Sequence, residues 1–495
     1  PVRYGRPMVQ HASIPGPRGW PWLGVFPWFA SDPLGFLIHM QRRYGDTVAY
    51  PVAGHRVIQL NHPETIDKLL VGSHKHLVKD EVTRTLKLML GEGLVTSEGS
   101  HWKRQRRLAA PSFAKRHVDG YGERMVDLAI RWADGLHDGA VVDVHREALD
   151  VTRDIVLVCL FGMEAGPEHD IGQAIEQFMG EFLTEAQGWR RALPQGVWTP
   201  GRGRIQTARG AIDEKVFGFI DAAKARDGGD DVIHRLLAAR DEDGQPMSTE
   251  QLRDEVVTFF TAGHETTAVA LTHLLDQLAR HPDVRERLEE EVDRVLDGAR
   301  PSVDRLPDLP YVRAVVHELL RLVPPVWAIG REAIADFELD GHRYQVGDEF
   351  FLAQWSVQHD ARWFPSPWAF RPERWLDEEA VSRLPKLAWM PFGGGARICI
   401  GNHFALLELQ LVVAVLAQRA RFEQGTLLGA VPEAVAVWRR FLETPDPLAP
   451  EARLGLARAL EAAGDGAGAR VELERVVEEH PGTGAAVTAR ALLGG

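Results

Sequence analysis

The ten residues Phe392–Gly401 read Phe-Gly-Gly-Gly-Ala-Arg-Ile-Cys-Ile-Gly, and no other stretch of the chain restricts its folding so strongly. Three consecutive glycines let a backbone loop lie flat against a broad neighbour, because Gly has no Cβ and adopts positive φ at no steric cost. Cys399 follows them. From Ile400 through Phe404, Leu407 and Glu408 the pattern turns helical. Unpaired N–H groups and the positive dipole end at a helix N-terminus stabilise a thiolate, and Arg397 adds a fixed positive charge two residues upstream. A phosphate-cradling loop would carry Lys-Ser or Lys-Thr after its glycines, and neither is here. A lone cysteine is also commonly a small buried hydrophobe, so the loop by itself leaves two readings standing: core filler, or a thiolate held against a broad ligand.

Composition narrows the setting. A length of 495 residues suffices for a large core or two domains. A net charge of −13 excludes a general nucleic-acid binder. The two cysteines, Cys159 and Cys399, exclude a disulfide framework and a four-Cys zinc site, which suits a reducing cytoplasm. Cys159 sits in the apolar run Asp154–Phe161 and reads as core. No apolar run approaches the ~20 residues of a membrane helix, and the first residues carry no signal-peptide pattern.

Two further stretches are informative. Ser248 to His281 is a long helical pattern that stops before Pro282. In its middle stands Thr261-Ala262-Gly263-His264-Glu265-Thr266-Thr267. Gly263 weakens such a helix by about 1 kcal/mol relative to Ala, and the threonines compete for its carbonyls. Local violations of this kind mark function; a glycine packing notch is the plain alternative. Glu318 and Arg321 stand three apart on another helical pattern with apolar flanks, which predicts a buried ion pair. A buried pair needs further partners, and Arg374 offers one. Trp102 and Arg106 share one face of a basic helix over 101–110, where a solvated charged face is the plain alternative. Residues 47–61 read as a hairpin turning at Gly54, and 333–354 as short strands.

The pattern Phe392-x-x-Gly395-x-Arg397-x-Cys399-x-Gly401 resembles the haem-binding signature of the cytochrome P450 family. Ala262-Gly263-x-Glu265-Thr266-Thr267 resembles its oxygen-binding groove, and Glu318-x-x-Arg321 its structural pair. The resemblance implies a mainly α fold with a small β region. It implies haem b clamped between the long helix and the Cys399 loop, with Cys399 as the metal ligand and Phe392, Gly395, Arg397 and Gly401 shaping the loop. Trp102, Arg106 and Arg331 match haem-propionate binders. Ala262 and Gly263 would make room for dioxygen, Thr266 would hydrogen-bond it, and Glu265 would relay protons from water. The implied function is a monooxygenase that inserts one oxygen atom of O2 into an apolar small molecule. Phe259, Phe260, Trp327 and Ile329 are candidates to line its pocket, with plain core as the alternative reading. No dinucleotide fingerprint is visible and two cysteines cannot hold an iron–sulfur cluster, so electrons come from outside: a ferredoxin with its reductase, or a flavodoxin. Lys103, Arg104, Arg107, Lys115 and Arg116 form a basic cluster that suits an acidic carrier. Rival readings are a peroxide-driven relative, which has no need of the Glu265–Thr266 relay, and a haem-binding scaffold recruited through the tail.

The resemblance covers residues 12–423. Past it, the β-hairpin usual in the family is not legible. The expected domains are a haem domain over 1–425 and a helical tail over 426–495. Leu456-Ala457, Leu460, Ala469, Leu473, Val476 and Pro481 resemble a tetratricopeptide repeat in their spacing, with an approximate half-unit at 434–447. About three such repeats are needed for independent stability. The tail therefore leans on the main domain or on a protein partner.

Overall fold

The computed structural model describes residues 14–137, 142–166, most of 171–180, 200–226 and 228–420, and in the C-terminal segment 466–479 with single residues on either side. The chain divides into two compact units, Pro1–Arg421 and Phe422–Gly495. The first is mainly helical with a small sheet region. The stretch where the family's C-terminal hairpin would fall and the half-repeat at 434–447 lie outside the described residues.

The sheet of the first unit has five strands: β1 (Thr47–Val52), β2 (His55–Leu60), β3 (Leu77–Val78), β4 (Ile329–Ala333) and β7 (Glu349–Leu352), in the order β1-β2-β7-β4-β3. β1 and β2 form the expected hairpin, paired from Thr47 with Leu60 to Val52 with His55. Ala53 and Gly54 turn it with φ of 48° and 92°, the two left-handed residues that match the twist of a tight hairpin. β2 runs parallel to β7, while β4 runs antiparallel to both β7 and β3. β5 (Phe337–Leu339) and β6 (His342–Tyr344) make a separate small hairpin. Ile58, Leu60, Leu69, Leu70, Phe350, Leu352, Leu387 and Met390 bury together along one face of the larger sheet.

The helices that carry the site are α1 (Gly99–Ala109), α2 (Gly122–Gly135), α3 (Val144–Ile155), α4 (Pro200–Ala225), α5 (Thr249–Arg280), α6 (Pro310–Leu322) and α7 (Asn402–Arg419). α5 starts at a capping box: the Ser248 side chain accepts from Gln251 N–H, and the Gln251 side chain accepts from Ser248 N–H. His281 ends it before Pro282. α5 packs on α3 and on the π-helical turn Val156–Leu160 that continues it. The two are tied by polar contacts: Thr152 Oγ1 donates to His264 O at 3.2 Å, and the His264 ring lies 3.1 Å from Leu149 O. Cys159, in the π-helical turn, is completely buried, as its apolar run predicts.

The ion pair on α6 is also fully buried. Arg321 holds Glu318 through Nε and Nη2 at 2.8 and 2.9 Å, and donates to Gln358 O and Pro367 O. Glu318 accepts further bonds from Arg371 N–H, Arg374 Nε and Trp375 Nε1. These partners offset the desolvation of two charges with no solvent access. Trp375 was not legible as a partner, since only folding brings it to α6.

In the second unit, α8 (Gly466–Glu479) buries Leu473 and Val476 with Ala457 and Ala489, and Val477 and Leu493 pack against them. Leu460 and Ala469 are buried too.

Candidate functional site

The glycines of the 392–401 loop fit it closely to its own chain. Gly393 and Gly395 hold φ of 71° and 66°. A Cβ on Gly395 would stand 2.7 Å from Leu70 O, and one on Gly394 3.0 Å from Leu387. Around Gly401 the space is open, with nothing within 4 Å of a built Cβ. The turn closes when Cys399 N–H donates to Phe392 O at 3.0 Å, leaving the Cys399 residue exposed although it lies deep in the unit. An exposed thiol at depth lines an internal cleft.

The electrostatics differ from the sequence expectation in one respect. α7 begins at Asn402, three residues after Cys399, so the thiol is held by the loop ahead of the helix. Burial pushes its pKa up; the Gly401 N–H and the charge of Arg106 pull it back. Arg397 is turned elsewhere. Its guanidinium donates to Ser97 O at 2.8 Å, pairs with Glu98, and lies 4.1 Å from the centre of the Trp102 ring. The net shift of the Cys399 thiol is upward; a metal ion bound there would replace its proton, since a coordinating thiol is deprotonated outright.

Arg331 is 6% exposed and donates to Gly330 O. It and Arg397 face a group that sequence reasoning missed, Lys79. Lys79 N–H donates to Glu98 Oε1 at 2.7 Å. Burial, followed by the charges of Arg331 and Arg397, lowers its ammonium pKa to about 7. Burial lowers Arg106 as well, and Arg397 falls to about 10. Four cations therefore surround the cleft, and the carboxylates acting on them are Glu98 and Asp80. His101 Nε2 is buried without a hydrogen-bond partner among the described residues. The excess positive charge and the unpartnered imidazole nitrogen, which donates in the Nε2–H tautomer, fit a dianionic edge, and haem presents two carboxylates. With Cys399 exposed beside them, the residues present fit haem b. Lys79 lay in an aperiodic stretch where nothing local distinguished it from a surface lysine.

On α5, Ala262 and Glu265 stay exposed and Thr266 half-exposed in the middle of a mostly buried helix. Thr266 Oγ1 donates to Ala262 O at 2.6 Å. Gly263 points another way: a Cβ there would come 3.3 Å from Val156 Cγ2, so its measured use is close packing on the π-helical turn. Phe260 is fully buried against Phe161 and His264, and Phe259 packs edge-on to Phe113. Both pack as core, the plain alternative for apolar residues at these positions. Trp327 packs on Phe29 and Phe351. Ile329 is half-buried, with its Cδ1 3.1 Å from a Cβ built on Gly393. The basic cluster on and after α1 is largely neutralised: Arg104 pairs with Asp241 at 2.6 Å, Arg107 with Glu242 and Lys115 with Asp119.

The cytochrome P450 family profile matches residues 14–429, and a tetratricopeptide-repeat profile matches residues 422–493. The chain belongs to the cytochrome P450 family. It is 33% identical to cyclooctatin synthase of Streptomyces melanosporofaciens over 86% of this chain and 93% of the relative. It is 31% identical to pentalenene oxygenase of Streptomyces avermitilis, over 84% and 92%. A cyclooctat-9-en-7-ol 5-monooxygenase of S. melanosporofaciens is 31% identical, over 80% and 87%. The chain is thus a cytochrome P450 oxidoreductase whose cofactor is haem b, acting with O2, an organic substrate and redox partners. Among the described residues no helix is long and apolar enough to cross a membrane.

Proposed function

We propose that the chain inserts one atom of O2 into an apolar, hydrocarbon-rich molecule, using electrons from a separate ferredoxin and its reductase in the cytoplasm. The observation that carries this is the convergence of Lys79, Arg106, Arg331 and Arg397 beside an exposed thiol deep in the unit. When bound, haem would supply the one-electron and O2 chemistry, with Cys399 as the residue that would hold its iron.

The chain's own residues do the rest. Lys79, Arg106, Arg331 and Arg397 would bind the two haem carboxylates, and Trp102 holds the Arg397 guanidinium against its ring face. Thr266 Oγ1 rests on Ala262 O and turns from it to hold a proton in the cleft. Glu265 takes protons from water and returns them, a general-acid role. The intact Glu265–Thr266 pair favours O2 over peroxide as the oxidant. Phe260 and Phe259 close the helix against core rather than solvent. The relatives' names point to alkene and cyclic alkenol substrates, which suit an apolar cleft. The 422–493 segment acts as an interaction module for a protein partner.

Turnover with NADPH, ferredoxin reductase, ferredoxin and 18O2 on a panel of cyclic alkenes tests this. The expected result is one labelled oxygen per product molecule and strict dependence on ferredoxin. Turnover driven by H2O2 alone, with none from the reductase chain, overturns it.

A further inference from the structure

α5 carries buried polar atoms that have no partner among the described residues. Glu255 is fully buried. Its Oε2 accepts the Leu94 N–H at 3.1 Å, and its Oε1 is buried with no partner among the described residues. Thr258, one turn on, is 2% exposed and its Oγ1 has no partner either. Thr261 Oγ1, a further turn on, is likewise buried and unpartnered. Glu265 follows four residues later. Steps of three, three and four residues keep all four side chains on one side of the helix. The rise from Glu255 to Glu265 is about 15 Å.

Orphaned buried polar atoms cost free energy and are normally met by ordered water. Neighbouring side chains three apart have Cβ atoms roughly 5–6 Å apart, a spacing that one water bridges. The anchoring of the 91–94 turn does not account for these groups. That turn uses Oε2 only, and a neutral amide would serve it without desolvating a carboxyl group.

We propose that Glu255, Thr258 and Thr261, with ordered water between them, form a proton path along one side of α5 that ends at Glu265 and Thr266. This rests on the monooxygenase reading above. The groups facing Glu255 are Asp254 on its own helix and the Leu94 N–H from the 91–94 turn. Burial, foremost, and the Asp254 charge raise its pKa to about 8, against the Leu94 N–H, so at neutral pH it holds a proton to give. Asp254 side-chain oxygens accept from Glu92 N–H and Arg253, and its side chain keeps 18% exposure, which places it where the path meets solvent. Each turnover consumes O2, two electrons, two protons and the substrate C–H bond, and yields an alcohol and water. The electrons come from the redox partners. The protons pass from bulk water through Glu255 to Glu265, and bulk water reprotonates Glu255.

The test uses Glu255→Gln and Thr258→Val in the full-length, haem-loaded protein. Glu255→Gln keeps an acceptor for Leu94, and Thr258→Val keeps shape. We expect reductant-driven turnover to fall roughly tenfold, less than the 10²–10⁴ of a general acid or base that acts on the reacting atoms, with a larger solvent deuterium isotope effect. Turnover driven by H2O2, which brings both its protons, stays at the wild-type rate. In the haem-free protein, the wild-type minus Glu255→Gln infrared difference spectrum at neutral pH shows a protonated-carboxyl band that shifts in D2O, the band of the buried Glu408 cancelling between the two. Wild-type turnover matched by both variants overturns the path alone. So does an equal fall in reductant-driven and H2O2-driven rates, which marks a purely structural anchor. If Glu255→Gln fails to fold, Thr258→Val decides. Absence of reductant-driven turnover in the wild type overturns the monooxygenase reading and the path with it.

Discussion

Lys79 shows how a single buried cation reports on the site around it. Its pKa of about 7 reflects burial and the repulsion of Arg331 and Arg397. Two haem carboxylates arriving beside it favour the charged form and raise that value. Below pH 7 Lys79 is charged with and without haem, and its contribution to binding is complete. As the pH rises above 7 the haem-free protein loses this proton while the bound protein keeps it, so the contribution fades. Cys399 releases a proton on ligation, with the opposite sign, and a comparison against Lys79→Met removes that effect. The expected outcome is a haem-affinity advantage of wild type over Lys79→Met that shrinks between about pH 6 and pH 9 in titrations of the haem-free protein. An advantage independent of pH contradicts the placement of Lys79. None of this was readable from sequence, because the neighbours of Lys79 lie about 250 and 320 residues away and pKa depends on them. Arg397 was readable as a candidate from its local motif, although its partners Ser97, Glu98 and Trp102 were not.

At the scale of elements, α5 and α6 were legible because their signals are local. Pro282 and the apolar period marked α5, and the 318–321 spacing marked the pair on α6. What each face of α5 meets was not legible. Phe259 and Phe260 are apolar residues between two interiors, and the structure assigns them to core. The basic cluster after α1 read as open, since Asp241 and Glu242, which pair with it, lie some 135 residues on. Two variants probe these elements. Glu318→Ala leaves Arg321 charged and fully buried with its carboxylate gone; we expect a loss of about 3–5 kcal/mol, read by urea unfolding of the haem-loaded protein. Gly263→Val pushes side-chain carbon against Val156, already 3.3 Å from a bare Cβ. The expected cost is about 1–3 kcal/mol, measured the same way, and an unchanged midpoint would show that this glycine is not a packing notch.

At the scale of the molecule, the family was legible from three short motifs, because haem-thiolate chemistry restricts residue types at fixed spacing. The tail was legible only as a pattern of small and apolar residues, and its buried cluster of Ala457, Leu473, Val476 and Ala489 follows that pattern. Pro1–Arg421 is compact by itself. Deletion of 427–495 is therefore expected to leave haem content and thermal unfolding of the first unit unchanged while abolishing partner binding. Loss of haem on deletion would make the tail part of the fold instead. The central claim, that Cys399 is the haem ligand, is tested most directly by the absorption spectrum of the reduced, haem-loaded protein with carbon monoxide, recorded for wild type and for Cys399→Ser. The account predicts a long-wavelength Soret band of thiolate-ligated iron in the wild type, absent from the variant. A wild-type band typical of neutral or histidine ligation, or one that persists in Cys399→Ser, would contradict it.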